Sequence, residues 1–258
     1  MSVLSGAEAI HLDAGADAPA TIVVCHGFTG TPASVRPWAE YMHTCGYNVM
    51  APRLPGHGTR WQDLATTRWP DWYGELENAF DDALRRGRPV FVFGHSMGGT
   101  LVLRLAEQRG DEVAGIAVCN PSVFDPRFAV RYLVPYLRLA VRSVPGIGSD
   151  IAKPETFETS YPRVPLAALN SLRQLWTITR EDLPRITQPI TVIHSATDHI
   201  VDPRNSRIVL DGVRSSEVSE HLLPRSYHVA TLDYDAPQLH EQSAEFVAAR
   251  LAALEEAS

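Results

Sequence analysis

This 258-residue sequence predicts an α/β fold with a mostly parallel central sheet, and three observations predict it. Short runs of β-branched and apolar residues alternate along the chain with longer stretches of helical apolar spacing. The loops between them are short, which in such alternation means right-handed strand–helix–strand crossovers. Several of the short runs are apolar at every position, as strands covered by helices on both faces must be.

Taken in order, Ala7–Leu12 reads as an edge strand, and Thr21–Cys25 as the first doubly buried one. That run stops at His26-Gly27-Phe28-Thr29-Gly30. Pro32 then opens a helix of about fifteen residues, with Val35, Trp38, Ala39 and Met42 on one face and an end near Gly46. Tyr47–Ala51 is the next strand. Pro52–Thr59 holds too many chain breakers for anything but a loop. A helix from Trp69 to Arg86 leads to the strand Val90–Phe93, which turns at once into another helix. Val113–Cys119 is again a buried strand. The alternation breaks between Asn120 and Arg185, where prolines at 121, 126, 135, 145, 154, 162 and 165 should leave only short helices and turns and no buried strand. This predicts a cap at 121–185 inserted into a core of 1–120 and 186–258. Ile190–Ser195 resumes the sheet, Pro203–Leu210 is helical, Glu217–Leu223 is the last strand, and Gln238–Leu254 closes the chain as an amphipathic helix.

The formal net charge of −7 offers no electrostatic case for binding nucleic acid. Cys25, Cys45 and Cys119 lack metal-type spacing, and Cys25 and Cys119 fall in buried strands, as inert core thiols do. The opening Met-Ser-Val-Leu-Ser-Gly-Ala-Glu has neither a charged leader region nor a long apolar one. No secretory signal or membrane span is expected, which makes cytoplasmic residence the default.

The chemistry is concentrated where Val90–Phe93 meets its helix. Gly94-His95-Ser96-Met97-Gly98 fits G-x-S-x-G, in which a sharp turn exposes a serine hydroxyl at the carboxyl end of a strand. Glycines two residues either side let strand and helix approach without a Cβ clash. A serine hydroxyl is a weak nucleophile at neutral pH, so Ser96 needs a base in hydrogen-bond reach and an acid to orient that base. Both should follow it in the chain, acid first, from loops after later strands. Asp198 and Asp202 follow Ile190–Ser195. Asp202 precedes Pro203 as a helix cap would, which leaves Asp198 as the acid. His199 adjoins that acid and His221 lies inside a strand, whereas His228 sits in the loop after the last strand and takes the place of the base. Two N–H donors must meet the oxyanion: the backbone of Met97 at the start of its helix, and that of Phe28 in the glycine-flanked loop after Thr21–Cys25. Phe28's ring should wall the acyl side, and His26 should brace its loop without moving a proton.

Four blocks carry a family resemblance: His26-Gly-Phe-Thr-Gly-Thr-Pro32, Pro52-Arg-Leu-Pro-Gly-His-Gly-Thr59, Gly94-His-Ser-Met-Gly-Gly-Thr100 and Ser226-Tyr-His-Val-Ala-Thr-Leu-Asp-Tyr-Asp235. Together they resemble the bacterial monoacylglycerol lipases and small thermostable carboxylesterases, which are α/β-hydrolases. The resemblance implies a Ser96–Asp198–His228 triad, an oxyanion hole from the Phe28 and Met97 amides, no cofactor or metal, and a compact cap over an acyl pocket. Pro162 stands where the lipase branch carries an acidic residue, which weighs against strict monoglyceride preference. The expected activity is hydrolysis of monoacylglycerols and other simple carboxylic esters. The alternatives are an acyl-thioester hydrolase, a short-chain esterase with no glycerol role, or a binding protein that has lost turnover. Dehalogenase and epoxide-hydrolase chemistry needs a carboxylate where this chain has Ser96.

Inside the predicted cap, residues 127–145 hold four arginines and no acid. On a helical wheel Arg127, Arg131, Arg138 and Arg142 fall within about 60° of one another, with Pro135 kinking the helix or splitting it into two short ones. Phe128, Tyr132, Leu133, Tyr136, Leu137, Leu139 and Val141 occupy the rest. Some of this apolar surface is expected to line the acyl pocket. The remainder, with the arginine stripe, is expected to touch lipid interfaces transiently.

Overall fold

The computed structural model describes residues 3–256. Its elements run β1 (Ile10–Leu12), β2 (Thr21–Cys25), α1 (Arg36–Thr44), β3 (Asn48–Ala51), α2 (Trp61–Leu64), α3 (Trp69–Leu84), β4 (Val90–His95), α4 (Met97–Arg109) and β5 (Val113–Cys119). They continue α5 (Val134–Leu137), β6 (Ser143–Pro145), β7 (Arg163–Pro165), α6 (Leu166–Asp182), β8 (Ile190–Ser195), α7 (Arg204–Gly212), β9 (Val218–Leu223) and α8 (Ala236–Glu256). Seven strands form one sheet in the order β1-β3-β2-β4-β5-β8-β9, all parallel except β1, which runs antiparallel to β3 at the edge.

The all-apolar strands are explained by their two faces. In β2, Val23 and Cys25 pack toward α3 and α4, while Ile22 and Val24 pack toward α1 and α8. β4 repeats this, with Val90 and Val92 on one side and Phe91 and Phe93 on the other. On the α1 side Trp38 stacks on Phe93 at 5.0 Å and donates its indole N–H to Ser243 of α8 at 3.1 Å. The predicted first helix is split: Pro32–Val35 is a 3₁₀ turn and α1 follows, but Val35, Trp38, Ala39 and Met42 are all buried together as its spacing requires. Cys25 and Cys119 are buried, and burial pushes both thiols far up; Cys45 is exposed.

The stretch between β5 and β8 departs from the sequence expectation in three places. Leu166–Asp182 is a continuous 17-residue helix rather than short pieces. No proline falls between Pro165 and Pro184, and over that span an unbroken helical pattern buries Leu172, Leu175, Trp176 and Thr179 on the side facing α3 and α4. Second, β6 and β7 pair as a small antiparallel ribbon, Ser143 opposite Pro165 and Pro145 opposite Arg163. Third, the expected arginine-striped helix does not form. A single π turn over Ala129–Leu133 leads into α5, which ends at Leu137, and Arg142 lies outside any helix. The stretch between β5 and β8 is tied down by Tyr161, whose hydroxyl donates to the Gly56 carbonyl (2.7 Å) and accepts the Thr59 N–H (2.9 Å).

Candidate active site

The turn from β4 into α4 holds Ser96 at φ +55°, ψ −119°, a region that ordinary side chains avoid. The flanking glycines make the turn sterically possible. A Cβ at Gly98 would collide with the Cys25 carbonyl, and one at Gly94 with the Gly98 carbonyl. Ser96 is thereby lifted to the carboxyl end of the sheet with its side chain at the floor of a cavity of about 510 Å³.

Asp198, in the turn after β8, and His228, in the loop after β9, meet there. His228 Nδ1 donates to Asp198 Oδ2 at 2.7 Å, and the Ser96 hydroxyl donates to His228 Nε2 at 3.0 Å. This is the tautomer in which the ring can accept a serine proton. Asp198 has a second duty that the sequence reading did not give it: its Oδ1 accepts the N–H groups of Ile200 (2.9 Å) and Val201 (2.8 Å). Burial works against charging Asp198, but the His228 ring and these hydrogen bonds outweigh it and hold its pKa below the usual value. Burial also opposes a charged His228, yet the charge and hydrogen bond of Asp198, with Glu158 and Asp150 further off, hold its pKa above the ordinary 6.5. Asp202 caps the next helix, taking the Arg204 N–H at 2.9 Å, and lies bound to the Arg204 side chain.

The Phe28 loop runs directly beside the serine: a Cβ on Gly27 would sit 3.3 Å from the Ser96 Cβ. Met97 opens α4, so its N–H has no acceptor within the helix. Neither it nor the Phe28 N–H has a main-chain acceptor among the described residues. Phe28 lines the cavity, with its ring against Trp72 (5.7 Å) and His57 (6.3 Å). His26 braces this loop, accepting the Leu54 N–H at 3.2 Å and donating to the Gly27 carbonyl at 2.9 Å, and burial pushes its pKa down to about 4.

Residues that the sequence reading did not single out support His228. The His228 carbonyl accepts from His95 Nε2 (2.9 Å) and from the Asn120 amide (2.7 Å), and Asn120 in turn bonds both the main chain and the hydroxyl of Ser195. From the insertion, Asp150 Oδ2 accepts the N–H groups of His228 and His199, each at 3.1 Å, and Oδ1 meets the His199 ring at 2.8 Å. Asp233 answers by accepting the N–H groups of Ala152 (2.7 Å) and Lys153 (2.9 Å). Among these, only Asn120, with φ +46° at the end of a strand, carries a local peculiarity, and that is conformational rather than compositional.

The cavity lining is mixed, with Val130, Val164, Leu172 and Trp176 among its apolar residues and Glu158 and His199 among its polar ones. None of the seven apolar residues assigned to the striped helix lines it; Val130 does, from the π turn. An acidic residue is therefore present in the cavity although position 162 is Pro. Glu158 lies close enough to Gly30 that a Cβ there would come within 2.7 Å of its carboxylate, and burial raises its pKa against the pull of His228 and Ser34. Among the described residues no group of three or more His, Cys, Asp or Glu side chains is placed to hold a metal ion.

Comparison with known proteins agrees with this architecture. The family model Hydrolase_4, described as serine aminopeptidase, S33, matches residues 16–235. A thermostable monoacylglycerol lipase of Bacillus sp. (strain H-257) is 41% identical over 250 residues, covering 95% of this chain and 96% of the relative. A carboxylesterase of Bacillus subtilis (strain 168) is 25% identical over 229 residues, 88% of this chain and 91% of its own. A solved structure described under LipS and LipT, two metagenome-derived lipolytic enzymes, superposes with a TM-score of 0.91 at 34% identity, covering 95% of this chain and 99% of that one. The chain is thus an α/β-hydrolase of the Hydrolase_4 (serine aminopeptidase, S33) family, in the subfamily of monoacylglycerol lipases and thermostable carboxylesterases.

Proposed function

We propose that this protein is a serine ester hydrolase that cleaves monoacylglycerols and other simple carboxylic esters. The observation that carries this reading is the unbroken chain Asp198–His228–Ser96, at 2.7 and 3.0 Å, in a cavity lined by both apolar and polar side chains. His228 Nε2 takes the hydroxyl proton as Ser96 Oγ adds to the ester carbonyl, and the oxyanion is held by the Phe28 and Met97 N–H groups. The protonated ring returns that proton to the leaving alcohol oxygen as the C–O bond breaks. A water, deprotonated by His228, then adds to the acyl-enzyme and frees the carboxylic acid and Ser96. Asp198 holds the ring in the required tautomer throughout.

The acyl chain fits against the apolar lining residues, where each buried methylene is worth about 0.8 kcal/mol. The glycerol hydroxyls fit against the polar ones, Glu158 among them. Residues 121–185 form the cap over this cavity, and its outer surface is the face that meets lipid. Phe128, Tyr136 and Leu139 are 67%, 74% and 78% exposed, a concentration of apolar surface that a freely soluble cap would not keep. No helix among the described residues is long and apolar enough to cross a membrane, and residence in the cytoplasm with transient lipid contact suits this surface.

The deciding experiment is a kcat/KM series over monoacylglycerols of increasing chain length, the matching di- and triacylglycerols, p-nitrophenyl esters, acyl thioesters and an aminoacyl anilide. Preference for monoacylglycerols over matched simple esters is expected. Equal rates on matched monoglyceride and simple ester would leave a general carboxylesterase, and a dominant thioester or anilide rate would overturn the reading.

A further inference from the structure

Of the arginines without a carboxylate partner among the described residues, three gather in one place. Phe124, just beyond β5, has three guanidinium groups around its ring: Arg131 at 5.4 Å, Arg180 at 5.8 Å and Arg204 at 6.0 Å. Arg173 joins them from α6, about two turns before Arg180, and donates to the Arg131 carbonyl at 2.6 Å. Arg204 is paired with Asp202 and nearby Arg207 with Asp211. Arg131, Arg173 and Arg180 have no carboxylate within ion-pair distance among the described residues; Arg180 spends one N–H on the Val123 carbonyl, and only Glu181 offsets it electrostatically. Burial, and then the charge of Arg131, lower the pKa of both Arg173 and Arg180, as crowded and uncompensated cations require. Arg127, which the sequence pattern placed with Arg131, is instead neutralised by Asp125.

A hollow of about 520 Å³ opens beside this cluster, lined by Phe124, Arg180, Arg204 and Arg207. Arg131 also lies over the ring of Tyr132 at 5.3 Å, and Tyr132 packs on Phe128 at 5.0 Å, so the cations border the exposed apolar face of the cap. A protein of net charge −7 gains nothing in solubility from an unpaired positive cluster next to exposed aromatic rings. An anionic interface supplies what both halves lack: apolar depth for the rings and phosphate oxygens for the guanidinium forks.

We propose that Arg131 and Arg180 over the Phe124 ring, with Arg173 bonded to the Arg131 carbonyl, form a binding site for the phosphate of an anionic phospholipid headgroup, which docks the cap on negatively charged bilayers. This rests on the reading of the cap's outer face as the lipid-facing one and adds to it the charge and the residues that read it. The site stands apart from Ser96, with Phe124 as the wall shared by the hollow and the catalytic cavity.

The test is partition onto vesicles of phosphatidylcholine alone and of phosphatidylcholine with phosphatidylglycerol, at low salt and in about 0.5 M NaCl, where charge interactions are screened within a few ångströms. Wild type is expected to prefer the anionic vesicles, and high salt to remove the preference. Arg131→Gln/Arg173→Gln/Arg180→Gln should lose on the order of 100-fold in partition to anionic vesicles, at about one factor of five per arginine. Arg36→Gln/Arg85→Gln/Arg250→Gln, an equal charge change elsewhere, should keep the preference. Should the first triple variant fail to fold by circular dichroism, Arg131→Gln alone, at an exposed position, should still lose about fivefold. Binding to neutral vesicles reports the apolar face by itself: if it occurs with no anionic increment, the lipid-facing cap stands and the headgroup site falls. Equal loss in both triple variants would reduce the effect to net charge and overturn the site. Saturable binding of inorganic phosphate by calorimetry without vesicle preference would transfer the site to a soluble phosphate and overturn the lipid assignment.

Discussion

Replacing Asp150 by Asn separates a residue that merely packs the cap from one that seats the catalytic base. The Asp150 carboxylate serves three donors: the His228 N–H, the His199 N–H and the His199 ring. Its carbonyl also accepts the Val229 N–H at 3.1 Å. Asparagine keeps the shape but offers one acceptor oxygen, an NH₂ and no charge. With its oxygen in the place of Oδ2 the amide still accepts both N–H groups, and its NH₂ can donate to His199 Nδ1 once that ring carries its proton on Nε2. The two bonds then lose their charge assistance, a weakening of about 1–3 kcal/mol in all, and here the cost falls on the loop that aims His228 at Ser96. Carried into the barrier, this lowers kcat roughly 10- to 100-fold. The lost charge has a separate signature. Asp150 is one of the groups that raise the His228 pKa, after Asp198 and Glu158. Removing it should move the acid limb of kcat/KM to lower pH. The assay is kcat and KM on a soluble short-chain p-nitrophenyl ester from about pH 5 to 8, the range in which a histidine base titrates, with Asp150→Glu as the charge-retaining comparison. Wild-type kcat with an unmoved acid limb in Asp150→Asn would refute the positioning role.

Asp198→Asn should cost about 10⁴ in kcat by favouring the wrong histidine tautomer, while Asp202→Ala should cost about 1 kcal/mol of stability and little rate; steady-state kinetics and urea unfolding of both variants check this. The acid limb of kcat/KM in the wild type should lie above 6.5, because His228 is held above its ordinary value, and a limb below about 6 would contradict the ion-pair geometry. Buried neutral histidines set the pH dependence of stability. His26 and His240 are lowered to about 4, His95 to about 3, and His57 well below 6.5, each with burial as the main cause. A depressed folded pKa stabilises above the unfolded value and loses that contribution as pH falls, so stability should decline from about pH 6.5 toward 4. His228, raised rather than lowered, is charged in both states at about pH 5 and does not oppose this trend. Buried Glu107, raised to about 8, works the other way by releasing a proton on unfolding, so urea unfolding at about pH 7, 6 and 5 should give a slope equivalent to roughly two or three protons taken up near pH 5; a flat profile would count against it.

The parts of this molecule that were legible in the sequence are those set by local pattern. β2, β5 and β8 run over the same residues that their apolar runs mark, because a strand covered on both faces cannot hide its composition. The turn at Ser96 is announced by glycines that must sit within two residues of it. Asp198 and His228 could be selected because chain order and loop position leave few candidates. What the sequence did not disclose depends on distance. Asn120 reaches the His228 carbonyl across 108 positions and Asp150 reaches the His228 N–H across 78, using residue types with no motif around them. In the cap, counting prolines was sound up to Pro165 and misleading beyond it, where α6 is set by burial against α3 and α4. The arginine stripe assumed a helix that ends at Leu137, and it could not foresee that Arg131 would turn to α6 and Phe124.

The central claim is that Ser96, activated by His228, forms the acyl-enzyme. It is tested most directly by intact-protein and peptide mass spectrometry after incubation with a slowly deacylating ester or an alkyl phosphonate. One adduct per chain is expected, on the peptide containing Ser96, with its loss in Ser96→Ala together with ester turnover, and its formation should slow as falling pH protonates His228. A stoichiometric adduct on another residue, or turnover by Ser96→Ala at the wild-type rate, would contradict it.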